Sequence, residues 1–519
     1  MWVCVGGGRR VRQIRAAIAK GGVGFSVQRR STSRRVNRGE SRRVSKGSRA
    51  SAGDCRERRG GGVGIGPAEA SPRFLFNRVT RVRQPRAAMG HTRHHTLEVG
   101  LNACGVEMCP HASHRSLCAV ASYLHRPGDE DEPQSRVGEL YLYSLAPSSD
   151  EDAAAADDDG ETDAGDGSKP EFTNTPTEWR FTPCAETRHT RAIFELKWAP
   201  ALTGGTHGAP ALAQADAGGF VSIYEIHPLV EGGEERTSFE LVEVASVQCG
   251  GGGLGMATCV DWSPLISDGE DDSIDYFRSS RLAVVGADGG ARLLARRESG
   301  ELEVSDERES AHDLEAWAVA WAHPKSVLGG DFIFTGADDA AFKGWDLRGG
   351  LDASSPAFVN RRAHGAGVTC ISPSPHDPNV VATGSYDDRV RLWDARMFVR
   401  PVEMCDAMDV GGGAWRLRWH PERRALACAA MGGGVAIVEW SGCESGVESA
   451  LKVGESSDEG ADASVLPEID SGTLRTVCAY DGHGSIAYGA DWGWKRGGKE
   501  DVVVSCSFYD KGLHVWSPE

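Results

Sequence analysis

Ala363-His364, Val368-Thr369-Cys370-Ile371, Val380 to Tyr386-Asp387 and Val390-Arg391-Leu392-Trp393-Asp394 are the segments on which the fold of this chain turns. Three runs rich in β-branched and aliphatic residues are separated by Gly, Ser, Asp and Pro, the pattern of short antiparallel strands joined by tight turns. The same frame returns on both sides. His312, Asp339 and Trp345-Asp346 make one copy, and His483, Asp510 and Trp516 make another; in all three the Asp lies six residues before the Trp. A second ruler runs from the His into the next strand. His189, His312, His364 and His483 each sit five residues before Phe194, Trp317, Thr369 and Tyr488. Weaker copies keep part of the frame. Asp288 lies six residues before Leu294, and Trp415-Arg416-Leu417-Arg418-Trp419-His420-Pro421 parallels Trp317-Ala318-Val319-Ala320-Trp321-Ala322-His323-Pro324.

This pattern resembles the WD40 repeat, whose units of roughly 40–45 residues each build a four-stranded propeller blade. Seven units are expected, near 96–146, 179–228, 241–297, 302–348, 356–397, 402–440 and 474–517. The fold class is therefore all-β, a seven-bladed propeller over 89–519. Closure is expected to mix N- and C-terminal strands in one blade, which leaves no open sheet edge.

Composition agrees. The chain has 66 glycines in 519 residues, nearly twice the usual ~7%, as a turn-rich β protein requires. Its net charge of −17 hides two parts. Residues 1–88 carry 22 Lys+Arg against 4 Asp+Glu, and the remainder carries 35 against 70. So acidic a body meets phosphate with like charge, which excludes nucleic acid as its main partner and suits a cationic one. The basic leader lacks periodic apolar residues and reads as disordered: a transit peptide, a basic arm, or a segment absent if translation starts at Met89. Acidic low-complexity insertions near 148–170, 267–275 and 441–470 read as solvated loops. No apolar run approaches the ~18–20 residues of a membrane span. Fourteen scattered cysteines and no secretory signal suggest reduced thiols in a cytoplasmic or nuclear protein. A cytoplasmic monomer is expected.

His and Asp recur at fixed offsets, which argues for a structural hydrogen-bond chain inside each blade, since a site used once need not repeat. The informative positions differ among blades. Five residues after the His, the start of the innermost strand reads Phe194, Thr258, Trp317, Thr369, Trp415 and Tyr488. The position before the repeat Asp reads Ala287, Asp338, Tyr386 and Tyr509, with Glu315 two residues before Trp317. Aromatics and carboxylates around a channel mouth suit a quaternary ammonium ligand; packing between blades is the other reading of Phe194, Trp317, Trp415 and Tyr488. No Gly-x-Ser-x-Gly, His-Glu-x-x-His or phosphate loop occurs. Cys104, Cys109, His111 and His114 mimic a zinc spacing, but Cys104 to Pro110 also fits the first strand of blade one, and no metal or cofactor is expected.

Several segments are more specific: Ala311-His312-Asp313-Leu314-Glu315-Ala316-Trp317, Gly344-Trp345-Asp346-Leu347-Arg348, Ala382-Thr383-Gly384-Ser385-Tyr386-Asp387, Gly412-Gly413-Ala414-Trp415-Arg416-Leu417-Arg418-Trp419-His420-Pro421, Tyr488-Gly489-Ala490-Asp491-Trp492-Gly493-Trp494 and Ser505-Cys506-Ser507-Phe508-Tyr509-Asp510. Together they resemble the diphthine methyl ester hydrolase family, also called diphthine methyltransferase-like WD40 proteins. The resemblance implies removal of a methyl ester from the modified histidine of translation elongation factor 2, releasing methanol and leaving diphthine during diphthamide biosynthesis. The trimethylammonium group of diphthine fits an aromatic, acidic mouth. No nucleophile is evident, so the expected mechanism is water activated by Glu315 or Asp338. Backbone N–H groups, or the Tyr386 or Tyr509 hydroxyl, would stabilise the oxyanion. A covalent route through Ser507, Ser385 or Cys506 is the alternative mechanism. A non-catalytic adaptor or a reader of methylated lysine is the alternative function.

Overall fold

The computed structural model describes residues 90–128, 134–147, 178–200, 209–229, 238–249, 255–264, 280–352, 355–396, 401–442, 472–493 and 501–519. The leader 1–88, the insertions near 148–170 and 267–275, and most of that near 441–470 lie outside the described residues. The described residues form seven antiparallel sheets, four with consecutive strands in plain order, two with an extra short strand on one edge, and one that joins the two ends of the chain. No described helix is long and apolar enough to cross a membrane.

The innermost strands are Asn102–Met108, Ile193–Trp198, Ala257–Trp262, Ala316–Trp321, Val368–Pro373, Arg416–Trp419 and Ala487–Gly493. His91–Glu98 is the outermost strand of blade seven, paired with Gly512–Pro518. The same offset holds all round. Leu302–Arg308 begins the fourth sequence unit but is the outer strand of blade three, and Leu474–Tyr480 begins the seventh but closes blade six. Each unit thus hands its first strand to the preceding blade, so every blade is held by two units.

Apolar alternation places the core between blades. Phe332, Phe334, Phe342 and Phe358 of blade four pack with Val368, Val381 and Trp393 of blade five. Burial of each such side chain contributes about 1.5–3 kcal/mol. A tryptophan near the end of the inner strand then stitches neighbours. The indole N–H groups of Trp198, Trp262, Trp321, Trp419 and Trp492 donate to the carbonyls of Glu107, Lys197, Asp261, Ser372 and Arg418, each on the preceding blade, at 2.9–3.2 Å.

Inside blades four, five and seven runs a buried polar chain with a member that the spacing rulers do not include, a hydroxyl. His312 Nε2 lies 2.7 Å from Thr335 Oγ1, which also accepts the Trp345 indole N–H at 2.8 Å. Thr383 joins His364 and Trp393 at 2.9 Å each, and Ser505 joins His483 and Trp516 at 2.8 and 3.1 Å. The repeat Asp differs from the expected His partner. Asp339 does meet His312 Nδ1 at 3.1 Å, but Asp387 accepts the Gly365 N–H at 2.8 Å and Asp510 the Gly484 N–H at 2.7 Å, leaving the Nδ1 atoms of His364 and His483 buried without a partner. The residue after each Asp is left-handed, Ala340, Asp388 and Lys511 having φ of 57, 68 and 55°. The Asp thus holds a strained turn, and in blade four a histidine as well.

Candidate functional site

One backbone device builds the channel mouth. Inner strands carry a β-bulge at their first turn, and the extra residue is Cys104, Phe194, Thr258, Trp317, Thr369 and Tyr488 in blades one, two, three, four, five and seven. A bulge leaves its residue outside the ladder and re-aims the side chain, here toward the axis. In blade six Trp415 stands just before Arg416–Trp419, its N–H held by the Ala429 carbonyl at 2.8 Å. The threonines turn away: Thr258 donates to the Val285 carbonyl at 3.0 Å and Thr369 to the Ala414 carbonyl.

The large side chains meet at the axis. Phe194, Trp317 and Trp415 belong to blades two, four and six, which are not neighbours, yet their ring centroids lie 6.4 and 5.7 Å apart in sequence around the channel. Trp415 continues to Tyr488 at 5.2 Å, Tyr488 to Phe508 at 4.9 Å, Phe508 to Tyr123 at 4.9 Å, and Tyr123 back to Phe194 at 5.7 Å. The circle is closed and packed. Trp317, Trp415 and Tyr488 are only 5, 6 and 5% exposed and form a floor, whereas Phe194, Tyr123 and Tyr386 keep surface at its edge. Tyr386 leans on Trp415 at 5.8 Å. Tyr509 is half exposed and edge-on to Phe508 at 5.0 Å, so it stands on the outer rim.

Asp338 and Glu315 are joined on one side of this floor, the Asp338 N–H donating to the Glu315 carbonyl at 2.9 Å. Asp338 and Tyr386 share the notch left by Gly367: a Cβ there would lie 2.5 Å from Asp338 Oδ1 and 3.3 Å from Tyr386 Cδ2. Burial pushes the Asp338 carboxyl up to about 6; the nearby Trp317 indole opposes this and Glu315 adds to it. Burial also raises the Tyr386 phenol, with the Tyr488 ring and Asp338 adding to the effect. The indole N–H of Trp415 is buried and makes no hydrogen bond, while that of Trp317 faces the Asp338 carboxyl. The candidate nucleophiles are sealed elsewhere. Ser385 and Ser507 are fully buried, their hydroxyls donating to the Ala366 carbonyl and to Asp510, and burial pushes the Cys506 thiol up to about 12. Cys104 donates to the Ile193 carbonyl at 3.2 Å, and no cluster of three metal-ligating groups occurs among the described residues.

Beneath the floor lies a buried charge layer. Arg416 meets Glu195 at 2.9 Å, Arg418 meets Glu107 at 3.4 Å, and Lys197 lies 4.0 Å from both Glu107 and Asp261. Burial raises the Glu107 carboxyl to about 7 against the pull of Arg418 and Lys197.

Comparison with known proteins follows the same two levels. The WD40 family (WD domain, G-beta repeat) matches residues 358–394. Those residues hold the outer strand of blade four, the three inner strands of blade five and the Tyr386–Asp387 turn. Among curated proteins, the chain is 33% identical over 261 residues to the diphthine methyltransferase homolog of Dictyostelium discoideum, covering 47% of this chain and 62% of that protein. It is 28% identical to the diphthine methyltransferases of Mus musculus and Homo sapiens, covering 77% of this chain and 69 and 74% of theirs. The chain carries a WD40 repeat and is similar to the diphthine methyltransferases.

Against that background, the rulers miss Tyr123, Phe508, Gly367 and the Arg416–Glu195 pair. Tyr123 lies in blade one, where the His–Asp frame is absent. Phe508 directly precedes Tyr509 and shows no ruler of its own. Gly367 is one of two glycines in Gly365-Ala366-Gly367, and only its contact with Asp338 distinguishes it.

Proposed function

We propose that this protein hydrolyses the methyl ester of diphthine methyl ester on translation elongation factor 2, giving diphthine and methanol in diphthamide biosynthesis. The observation that carries the reading is Asp338, set in the Gly367 notch against Tyr386 at the edge of the aromatic floor. A carboxyl raised to about 6 is mostly ionised near neutral pH and still basic enough to take a proton. The ring faces of Trp317 and Trp415, with the partly exposed rings of Phe194, Tyr123 and Tyr386 around them, would receive the trimethylammonium group by cation–π attraction. Water would attack the ester carbonyl while Asp338 removes one of its protons. The Tyr386 hydroxyl would donate to the tetrahedral oxyanion. Collapse breaks the carbonyl–methoxy bond; protonated Asp338 returns its proton to the methoxide, and methanol and the carboxylate leave. Glu315 is the alternative base, and Tyr509 the alternative oxyanion donor. The protein would work as a cytoplasmic monomer on its protein substrate.

The names of the relatives describe transfer of a methyl group, and the proposal is its removal. The full chain is incubated with methylated elongation factor 2 in ¹⁸O-labelled water. Methanol release, with label in the product carboxylate, supports hydrolysis at the ester carbonyl, and the absence of any trappable adduct supports direct attack by water. Incorporation of a methyl group from labelled S-adenosylmethionine, without methanol, would replace it with transfer. A trapped acyl adduct would replace Asp338 with a protein nucleophile.

A further inference from the structure

Arg416 lies directly under the aromatic floor and is buried along with its partner Glu195. Its Nη2 donates to the Phe194 carbonyl at 2.9 Å and its Nη1 to the Trp415 carbonyl at 3.1 Å. Glu195 Oε2 sits 2.9 Å from Nη2, and the guanidinium carbon lies 5.0 Å from the centroid of the Trp415 ring. Phe194 is on blade two and Trp415 on blade six, so one side chain ties the backbones of two floor residues across the channel. The tie is not part of the repeat. The corresponding residue is Glu195 in blade two and Ala318 in blade four, and neither carries a donor that could span the axis. The stitching indoles already join neighbouring blades, so the propeller does not need a second cross-channel link to close.

We propose that Arg416 is a positioning residue that sets the separation of Phe194 and Trp415, and with it the width of the seat offered to a quaternary ammonium group. This rests on the proposed function for the identity of the ligand. The Arg fork is suited to the role because it reaches two carbonyls and one carboxylate at once, whereas a lysine ammonium is a point charge that cannot span them. Asp338 sits on blade four, away from the tie, whereas Tyr386 leans on Trp415 itself. Loss of the tie is therefore expected to act mainly on substrate binding, with any change in the chemical step passing through Tyr386.

The decisive variant is Arg416→Met combined with Glu195→Leu. Replacing both members of a buried ion pair by apolar residues of similar volume is often neutral for stability, so the fold is expected to survive while both carbonyl ties are lost. KM for the methylated factor should rise about tenfold, the effect of losing one good interaction, a larger change than any in kcat. The Trp317 and Trp415 rings, 5.7 Å apart, are expected to give a far-UV exciton couplet, assigned by its loss in Trp317→Phe, and this couplet should shrink in parallel. A merely structural role would lower the melting temperature and the active fraction and leave KM where it was. Arg416→Lys keeps the charge beside Glu195 and serves if the double variant does not fold; its KM and exciton signal should lie between wild type and baseline. Wild-type KM and an undiminished exciton signal in a folded variant would overturn the proposal. If the wild-type protein releases no methanol, the functional reading fails by itself, and the exciton signal still decides whether Arg416 holds the floor.

Discussion

Two carboxylates adjacent in the chain, Asp338 and Asp339, belong to different regions, and their surroundings drive them in opposite directions. Asp339 belongs to the polar chain of blade four. Burial alone would raise its carboxyl, but His312 and the N–H groups of Asp313 and Ala341 overcome this and hold it well below the usual carboxylate range. Asp338 turns to the channel mouth, has only the Trp317 indole in place of those donors, and is pushed up to about 6 by burial. The tryptophans divide in the same way. Trp345, Trp393 and Trp516 donate to a threonine or serine hydroxyl, whereas in the floor the Trp317 indole faces Asp338 and that of Trp415 has no acceptor. A buried polar group that finds a partner contributes stability. The repeated chain serves the fold, and the unrepeated mouth is where a ligand is proposed to sit.

The largest effect should come from separating the adjacent pair. Asp338→Asn is expected to lower turnover by roughly 10²–10⁴-fold, the usual share of a general base, with the melting temperature unchanged. Asp339→Asn should do the reverse, destabilising by about 1–3 kcal/mol while the folded fraction keeps its kcat. Steady-state kinetics beside thermal melts on both variants checks this. Equal losses of activity would erase the distinction between the two regions. Glu315→Gln belongs in the same series: if it alone abolishes turnover, the base is Glu315.

Next in size is the floor. Trp415→Ala should weaken binding of the trimethylated substrate by about thirtyfold, a desolvated cation–π contact being worth about 2 kcal/mol. Trp317→Ala should act in the same direction. Both rings are also packed, so some loss of stability is expected, and the control is a substrate lacking the trimethylammonium group. It should bind wild type and variants almost equally. A parallel loss for both substrates would mean that the rings only fill space.

How far each region could be read in the sequence follows from its physics. A device used in several blades leaves a period, so His312, His364 and His483 and their tryptophans stand out, and with them the propeller. The hydroxyl between them escapes the rulers, because Thr335, Thr383 and Ser505 lie mid-strand, where small polar residues are ordinary fillers. At the mouth, the offset of five residues marks Phe194, Trp317 and Tyr488 because a bulge falls there in each blade. The bulge itself has no sequence mark. Gly367 and Arg416 act through single contacts made across blades, and a contact made once leaves no period. Tyr123 is hidden for a related reason, since blade one has lost the His and Asp that would align it.

A smaller effect tests the repeated chain by itself. His364→Ala removes one partner of Thr383 and leaves the hydroxyl to Trp393 alone, for a loss of about 1–3 kcal/mol. Denaturant melts should show it, with KM and kcat per folded molecule unchanged. Lost turnover at an unchanged melting temperature would move this histidine from the fold to the chemistry.

The smallest expected effect is a difference in pH slope between the two regions. Burial, with Arg391 adding, lowers His364 to about 3, and burial lowers His483 similarly. An unfolded histidine binds its proton near pH 6.5, so the unfolded state takes up more protons over this window, and wild type loses stability as pH falls from 6.5 toward 3. Glu107 behaves oppositely. Its folded value is about 7 and its ordinary value near 4.5, so the folded state holds more protons and gains stability as pH falls from 7 toward 4.5. Each group contributes at most about 1.4 kcal/mol per pH unit inside its window. The two variants His364→Gln and Glu107→Gln therefore part company on acidification. The stability gap between wild type and His364→Gln should narrow from pH 7 to pH 5, because only wild type is losing the histidine contribution. The gap between wild type and Glu107→Gln should widen, because only wild type is gaining from protonation in the channel. Urea melts at the two pH values measure both gaps. Parallel changes would mean that the channel carboxyl is ionised like any exposed glutamate, and that the charge layer beneath the floor is balanced without a proton.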